Sequence, residues 1–267
     1  MVVESSELDK PATRIKAVLF DLDGTLLDTE ALSDKAILEV LGPSLVPARV
    51  WKECQEDNVR MPWELKKQLL GLRGSEWAPK VIKYAHEKWN VPLDDTRTAM
   101  TVQGLWNGWE EALNRLCEEV EACPGAAELV TQLARVGLPM ALATSSRQSA
   151  VDKKRKRHGT MFQHIQAIVP GDHPAVQNGK PAPDIYLEAA RQLGVDPTEC
   201  LVFEDALSGV RSGKAAGCTV VAVPDPRFSS EEKQAFQDEA DVVVSSLWDF
   251  DGRRWGIDVH LAKRTAG

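Results

Sequence analysis

A short apolar run that ends at two acids constrains this chain more than any other feature of its sequence. The run Ala17–Phe20 has no polar alternation, which is typical of a strand buried on both faces of a sheet. Asp21, Asp23 and Gly24 follow it. Ligands of an open α/β sheet bind just beyond the carboxyl ends of its strands. We therefore expect both carboxylates at the rim of a sheet, where a cation such as Mg²⁺ would relieve their mutual repulsion.

Composition excludes several classes of protein. The formal net charge of −8 over 267 residues argues against a general binder of nucleic acid or of a membrane surface. No stretch is apolar enough to span a bilayer. Five cysteines without a Cys-x-x-Cys spacing indicate reduced thiols. Residues 1–14 lack the apolar core of a secretory signal, so we expect a flexible tail and a cytoplasmic location, with a plastid address open if an upstream segment has been removed.

The rest of the chain predicts an α/β fold that is interrupted by helices. Residues 31–119 have an almost wholly helical pattern, whereas short apolar runs alternate with helices after Pro124. We expect a Rossmann-like parallel sheet core from residues 15–30 and 120–267, with residues 31–119 inserted as a helical cap domain. A cap hinged beside the strand ends would close over a site and expel water. The predicted later strands are Pro139–Ala143, Ala167–Val169, Cys200–Phe203, Thr219–Val223 and Asp241–Val244.

Polar side chains that suit phosphoryl transfer occur at four places in this predicted core, after its strands. Asp21 is the expected nucleophile, and Asp23 is placed to protonate a leaving alcohol and then to deprotonate water. Thr144 and the backbone N–H of Ser145 could hold a phosphoryl oxygen, and Lys180 could neutralise developing charge. Each feature alone has an ordinary explanation as a helix cap or a surface lysine. Their occurrence together after predicted strands favours a shared catalytic role.

The acids also form a plausible set of ligands for a hard cation. Mg²⁺ prefers oxygen ligands and retains several waters. We expect Asp21, the carbonyl of Asp23 and Asp205 to bind Mg²⁺ directly, and Glu204 to act through a water molecule. Glu204 and Asp205 follow the apolar run Cys200–Phe203, just as the first acids follow their own strand.

Four parts of the sequence resemble, in order, the four motifs of the haloacid dehalogenase (HAD) superfamily. They are the segment Asp21–Thr25, Thr144, Lys180 and the pair Glu204-Asp205. The inserted helices are similar to its helical-cap branch. The resemblance implies a Mg²⁺-dependent phosphatase that forms an aspartyl-phosphate, acts on a small phosphorylated metabolite and works as a monomer. The expected substrate-binding residues are Leu22, Ser145, Ser146 and, from the cap loop, Arg73.

Longer matches resemble the pseudouridine-5′-phosphatases and the plant and algal glycerol-3-phosphatases. They include the segments 141–147, 153–162, 170–174 and 202–206. A phosphosugar mutase of the β-phosphoglucomutase type is the alternative, but Ser33 stands where that enzyme has a cap histidine. A non-enzymatic member of the fold is a third hypothesis, and the presence of all four motifs disfavours it.

The segment Lys153–Arg157 is entirely basic and follows Ser146 in a predicted helix. It is typical of a solvated helix face, and the alternative is a nuclear-localisation signal.

Overall fold

A six-stranded parallel sheet lies at the centre of the computed structural model, which describes residues 14–56, 60–69, 74–91 and 101–261. Its strand order is β3-β2-β1-β4-β5-β6, so that β1 lies inside the sheet between β2 and β4. This arrangement confirms the predicted α/β class. The strands are β1 (Ala17–Phe20), β2 (Met140–Ala143), β3 (Ala167–Val169), β4 (Cys200–Glu204), β5 (Thr219–Ala222) and β6 (Val242–Val243).

The first strand is buried on both faces, as its uninterrupted apolar run predicts. Val18 and Phe20 belong to one hydrophobic layer, and Ala17 and Leu19 to the layer on the opposite face. The ring of Phe20 stacks on Phe203 of the neighbouring β4, with centroids 5.1 Å apart. Packing on both faces fixes β1 firmly, so the acids that follow it start from a rigid element.

Helices cover the sheet and fill the interval between β1 and β2. Within the described residues, no helix is long and apolar enough to cross a membrane. The helices are α1 (Thr29–Leu45), α2 (Ala48–Glu56), α3 (Trp63–Lys66), α4 (Gly74–Trp89), α5 (Val102–Leu116), α6 (Ala126–Arg135), α7 (Gln148–Lys154), α8 (Gly159–Phe162), α9 (Asp184–Leu193), α10 (Leu207–Ala215) and α11 (Ser230–Glu239).

The helices between β1 and β2 have a hydrophobic cluster of their own. Its buried members lie between Ile37 and Leu105, and Trp77 packs edge-on against the ring of Trp109 at 5.1 Å. Gly42 interrupts α1 with a φ of 69°, which a glycine adopts at little cost. Helix α1 is therefore kinked at Gly42 and continues to Leu45.

Several predicted boundaries differ from the structure by a few residues, and helices α8 and α11 were missed. Helix α7 ends at Lys154, where a 3-10 turn at 156–158 replaces the predicted continuation. Helix α11 was not predicted because its residues are mostly polar and its apolar periodicity is weak. Its start nevertheless carries a capping box, in which Ser229 and Glu232 bond to each other's backbone N–H.

A buried ion pair joins α1 to α3, and its removal should destabilise the fold. Lys66 Nζ lies 2.7 Å from Asp34 Oδ1, contacts the Glu30 carboxylate and is almost fully buried, as is Asp34. Lys66→Met would leave Asp34 buried without its cation. We expect the free energy of unfolding, measured in urea, to fall by about 3 kcal/mol.

The adjacent lysine provides a matched control for that substitution. Lys67 pairs with Glu232 at 3.3 Å, and its side chain is 41% exposed. We expect Lys67→Met to cost less than about 1 kcal/mol, because exposed ion pairs contribute little. Equal losses in the two variants would contradict the role assigned to the buried pair.

Candidate active site

Asp21 stands at the carboxyl end of β1 and is held by a buried lysine. Lys180 Nζ donates to Asp21 Oδ1 at 2.5 Å, to Glu204 Oε1 at 2.6 Å and to the carbonyl of Ala143 at 3.1 Å. The backbone N–H of Asp21 donates to the carbonyl of Phe203 at 3.0 Å. The ends of β1, β2 and β4 therefore meet at one ammonium group, as their parallel order in the sheet requires.

Glu204 is the last residue of β4 and is enclosed by donors. Besides Lys180, the hydroxyl of Tyr186 donates to Glu204 Oε1 at 2.6 Å, and the N–H of Ala206 donates to Oε2 at 3.3 Å. Gly209 lies so close that a Cβ there would approach Oε1 to 1.8 Å. The carboxylate thus has a fixed position that requires a glycine at the start of α10.

Asp205 completes an acidic cluster with the two preceding carboxylates. One oxygen from each of Asp21, Glu204 and Asp205 lies within 4.8 Å of the others. Thr25 Oγ1 donates to Asp205 Oδ1 at 3.3 Å. Gly24 has a φ of +90°, and a Cβ there would lie 2.1 Å from Asp205 Oδ2, so a side chain at this position would collide with the cluster.

Burial makes the ionised carboxylates of this cluster unfavourable unless a positive charge lies beside them. Burial raises the pKa of Asp21 to about 7. The charge of Lys180 opposes this rise, whereas the charges of Glu204 and Asp23 add to it. Burial and the charge of Asp21 raise the pKa of Asp205 as well. Burial would lower the pKa of the Lys180 ammonium, but the two facing carboxylates outweigh it and the pKa is raised. Three oxygen donors with this excess of negative charge fit a hard divalent cation.

Asp23 lies beside this cluster and is held by a different set of donors. Ser146 Oγ donates to Asp23 Oδ2 at 2.6 Å, and Thr144 Oγ1 donates to the same oxygen at 3.3 Å. Lys154 Nζ donates to Asp23 Oδ1 at 2.5 Å. Burial would raise the pKa of Asp23, but the charge and hydrogen bonds of Lys154 and Ser146 outweigh it and lower the pKa. Two acids only two residues apart therefore have pKa values shifted in opposite directions.

The structure brings most of the predicted residues to one end of the sheet. Leu22 is fully buried, so only its backbone can face a ligand, while Ser145 is exposed. Arg73 lies outside the described residues. The predicted residues that share this end of the sheet are Asp21, Leu22, Asp23, Thr144, Ser145, Ser146, Lys180, Glu204 and Asp205.

Two residues of the site were missed by the sequence analysis. Tyr186 lies on the buried face of α9 and gave no signal apart from helical periodicity. Lys154 belongs to the basic run that was interpreted as a solvated helix face, and for this residue that interpretation is wrong, because Lys154 is 5% exposed. One buried position in an otherwise exposed basic run has no local signature.

Comparison with known proteins places the chain in a family. A family model described as haloacid dehalogenase-like hydrolase matches residues 15–217. The chain therefore belongs to the haloacid dehalogenase-like hydrolases, which confirms the resemblance carried by the four motifs. A HAD family hydrolase from Deinococcus radiodurans, solved with bound phosphate and sodium, is 26% identical with a TM-score of 0.68. The match covers 90% of this chain and 95% of that chain.

Curated relatives narrow the class further. (DL)-glycerol-3-phosphatase 2 from Arabidopsis thaliana is 35% identical over 91% of this chain and 92% of its own length. A probable pseudouridine-5′-phosphatase from Drosophila melanogaster is 33% identical over 93% of this chain and 97% of its own length. Together with the family, these relatives identify the chain as a phosphomonoesterase of the haloacid dehalogenase type.

Proposed function

We propose that this chain is a Mg²⁺-dependent phosphatase that hydrolyses a small phosphomonoester through an aspartyl-phosphate on Asp21. The carrying observation is that Lys180 Nζ joins Asp21 at 2.5 Å and Glu204 at 2.6 Å, with Asp205 in the same acidic cluster. A buried cation beside a nucleophilic carboxylate offsets the charge of an incoming phosphate. The arrangement therefore favours attack by Asp21 on phosphorus.

In the first step, an Asp21 carboxylate oxygen forms a bond to phosphorus while the bond from phosphorus to the alcohol oxygen breaks. Asp23 gives its proton to the departing oxygen. A phosphate dianion next to Asp23 favours the protonated form of the Asp23 carboxyl group. Substrate binding therefore leaves Asp23 with the proton that it donates. In the second step Asp23 takes a proton from water, and the water oxygen bonds to phosphorus while the bond from phosphorus to the Asp21 oxygen breaks, so that inorganic phosphate is released and the Asp21 carboxylate is restored.

The acidic cluster is the proposed metal site. Asp21, Asp205 and the backbone carbonyl of Asp23 would hold Mg²⁺, which supplies positive charge against the phosphoryl oxygens and favours the ionised form of Asp21. Glu204 is already engaged by Lys180 and Tyr186, which supports an outer position for it. The chemistry of the donor set carries this proposal. One oxygen from each of Asp21, Glu204 and Asp205 lies within 4.8 Å of the others, and the raised pKa values of Asp21 and Asp205 show that a nearby cation would be favourable.

The remaining predicted roles are proposed for the groups that surround the phosphate. Thr144, Ser145, Ser146 and the backbone N–H of Leu22 would orient phosphoryl oxygens. Thr144 is fully buried and its Oγ1 also accepts from the N–H of Ser146 at 3.0 Å, so the loop after β2 is locally fixed. Arg73 is proposed to face the alcohol end of the substrate.

We also propose that residues 31–119 form a cap over the core of residues 15–30 and 120–267. The strand-end side of the core meets α3, where Trp63 packs edge-on against Phe228 at 5.2 Å. The guanidinium of Arg227 lies 4.5 Å from the Trp63 ring centroid. These contacts support a closed position of the cap, in which water would be excluded from the phosphate.

Glycerol 3-phosphate and pseudouridine 5′-phosphate are the proposed candidate substrates, since the curated relatives are named for them. A mutase remains the alternative, and Ser33 disfavours it. The Ser33 hydroxyl accepts from the indole N–H of Trp109 at 3.2 Å, and a hydroxyl does not exchange protons near neutral pH as an imidazole does. A cytoplasmic location and a monomeric state stay predictions.

A phosphate-release screen tests the proposed function. We expect the chain with Mg²⁺ to release inorganic phosphate from one or more members of a panel of metabolite monoesters, including both candidates. Chelation with EDTA should stop release and added Mg²⁺ should restore it, because the buried carboxylates repel one another without a cation. Absence of release across the panel, or full activity in EDTA, would refute the proposal, and phosphate that moves between sugar positions would favour the mutase.

A further inference from the structure

Lys154 is the buried member of the basic run and points toward the active site. Its Nζ donates to Asp23 Oδ1 at 2.5 Å and to Ser146 Oγ at 2.9 Å, while Ser146 Oγ donates to Asp23 Oδ2 at 2.6 Å. The three groups form a closed triangle around one carboxylate. The χ2 torsion of an aspartate normally has a broad distribution of angles. When both carboxylate oxygens accept hydrogen bonds, as here, rotation about this torsion is restricted.

The neighbours of Lys154 hold the run against the linker that leads back from α5 to the core. Lys156 pairs with Glu118 at 2.7 Å, and Arg157 pairs with Glu121 at 2.7 Å and donates to the carbonyl of Glu119. These contacts pair Lys156 and Arg157 with acids and a carbonyl of this same chain. They also fix the backbone from which Lys154 reaches inward.

We propose that Lys154 is a positioning residue that fixes the orientation of the Asp23 carboxylate for proton transfer to the leaving alcohol. The inference rests on the proposed function, in which Asp23 is the acid. The Asp23 side chain is 27% exposed, so it keeps a face open to substrate while Lys154 and Ser146 hold it from behind. Each carboxylate oxygen has two lone pairs, and the held oxygens can still exchange a proton.

Leaving groups of different acidity separate this role from a structural one. An alkyl phosphate needs its leaving oxygen protonated, whereas p-nitrophenolate departs readily without a proton. We expect Lys154→Met to lower kcat/KM for the best alkyl phosphate of the panel by about 30-fold, but for p-nitrophenyl phosphate by less than about 3-fold.

The matched control is Arg155→Met, in the same run. Arg155 pairs with Asp152 at 3.0 Å, and its side chain is 45% exposed. We expect it to leave both activities within about 2-fold of the wild type. The melting temperature of every variant is measured in parallel, and Lys154→Gln replaces Lys154→Met if the latter does not fold.

Each other outcome overturns the inference. Equal losses of kcat/KM on both substrates would show that Lys154 only supports the fold. A gain in activity would show that it holds Asp23 away from the substrate. A wild-type chain that hydrolyses neither ester would overturn the proposed function and this inference with it, whereas an active wild type with unselective variants overturns this inference alone.

Discussion

Replacing Asp21 by asparagine should lower kcat at least about 10⁴-fold, because an amide oxygen is too weak a nucleophile to form the covalent intermediate. Asparagine has nearly the same shape, and Lys180 would still pair with Glu204 at 2.6 Å. Phosphate release from the best substrate of the panel, followed at saturating concentration, measures the loss. A residual rate above about 1% of wild type would contradict nucleophilic attack by this residue.

Asp23→Asn is the informative control for that experiment. It removes the proposed acid and base but leaves the nucleophile, so we expect a smaller loss of about 10²–10³-fold in kcat. Asp21→Asn should fold as the wild type does, whereas Asp23→Asn leaves the buried Lys154 ammonium without its carboxylate and should lower the melting temperature, which is measured for both variants. Burial raises the pKa of Asp21, so that its ionised form is unfavourable in the metal-free fold, and removal of this charge should not destabilise the protein.

The sheet could be predicted from the sequence because its strands are continuous apolar runs. β1 was predicted with the bounds that the structure shows, Ala17–Phe20. The end of β4 was placed one residue early, at Phe203, because the acid that follows was read as the start of a loop. Glu204 is in the strand and buried, and its charge is tolerated there because Lys180 and Tyr186 donate to it.

The spatial grouping of the candidate site residues could be predicted where they follow strands and could not be predicted where they lie on helices. Asp21 and Asp205 come directly after β1 and β4, and the parallel topology brings the ends of these strands together. Lys154 and Tyr186 are distant in sequence from the acids that they contact, by 131 and 18 residues, and lie within helical patterns. A periodic pattern identifies the buried face of a helix, but not the partner that a polar group on that face will meet.

The proposed cap was the least predictable part in its details. The helical pattern indicated its presence, yet its contacts with the core depend on side chains far apart in sequence. Trp63 and Phe228 meet at 5.2 Å although neither segment carries a motif. The ion pair of Lys67 with Glu232 likewise joins residues that are far apart in sequence. Such contacts arise from tertiary packing, which local propensity does not encode.

Lys180→Met should lower kcat by about 10³-fold, since it removes the buried cation nearest to the proposed nucleophile. It should also change the pH dependence of kcat/KM. The Lys180 charge lowers the pKa of Asp21, which burial otherwise raises and which stands at about 7. Without that charge the pKa of Asp21 in the metal-free protein rises further, so a smaller fraction of Asp21 is ionised at neutral pH and ready to bind Mg²⁺. The acid limb of the profile, measured in Mg²⁺ between about pH 5 and 9, should move to higher pH.

Tyr186→Phe separates the effect of charge from the effect of the hydrogen bond to Glu204. It removes the hydroxyl that donates at 2.6 Å but leaves the ammonium in place. We expect kcat to fall by less than about 10-fold and the acid limb to stay where it is, because a neutral donor contributes far less than a buried charge. An acid limb that is unchanged in Lys180→Met, or one that moves equally in both variants, would show that Lys180 does not set the ionisation of the nucleophile.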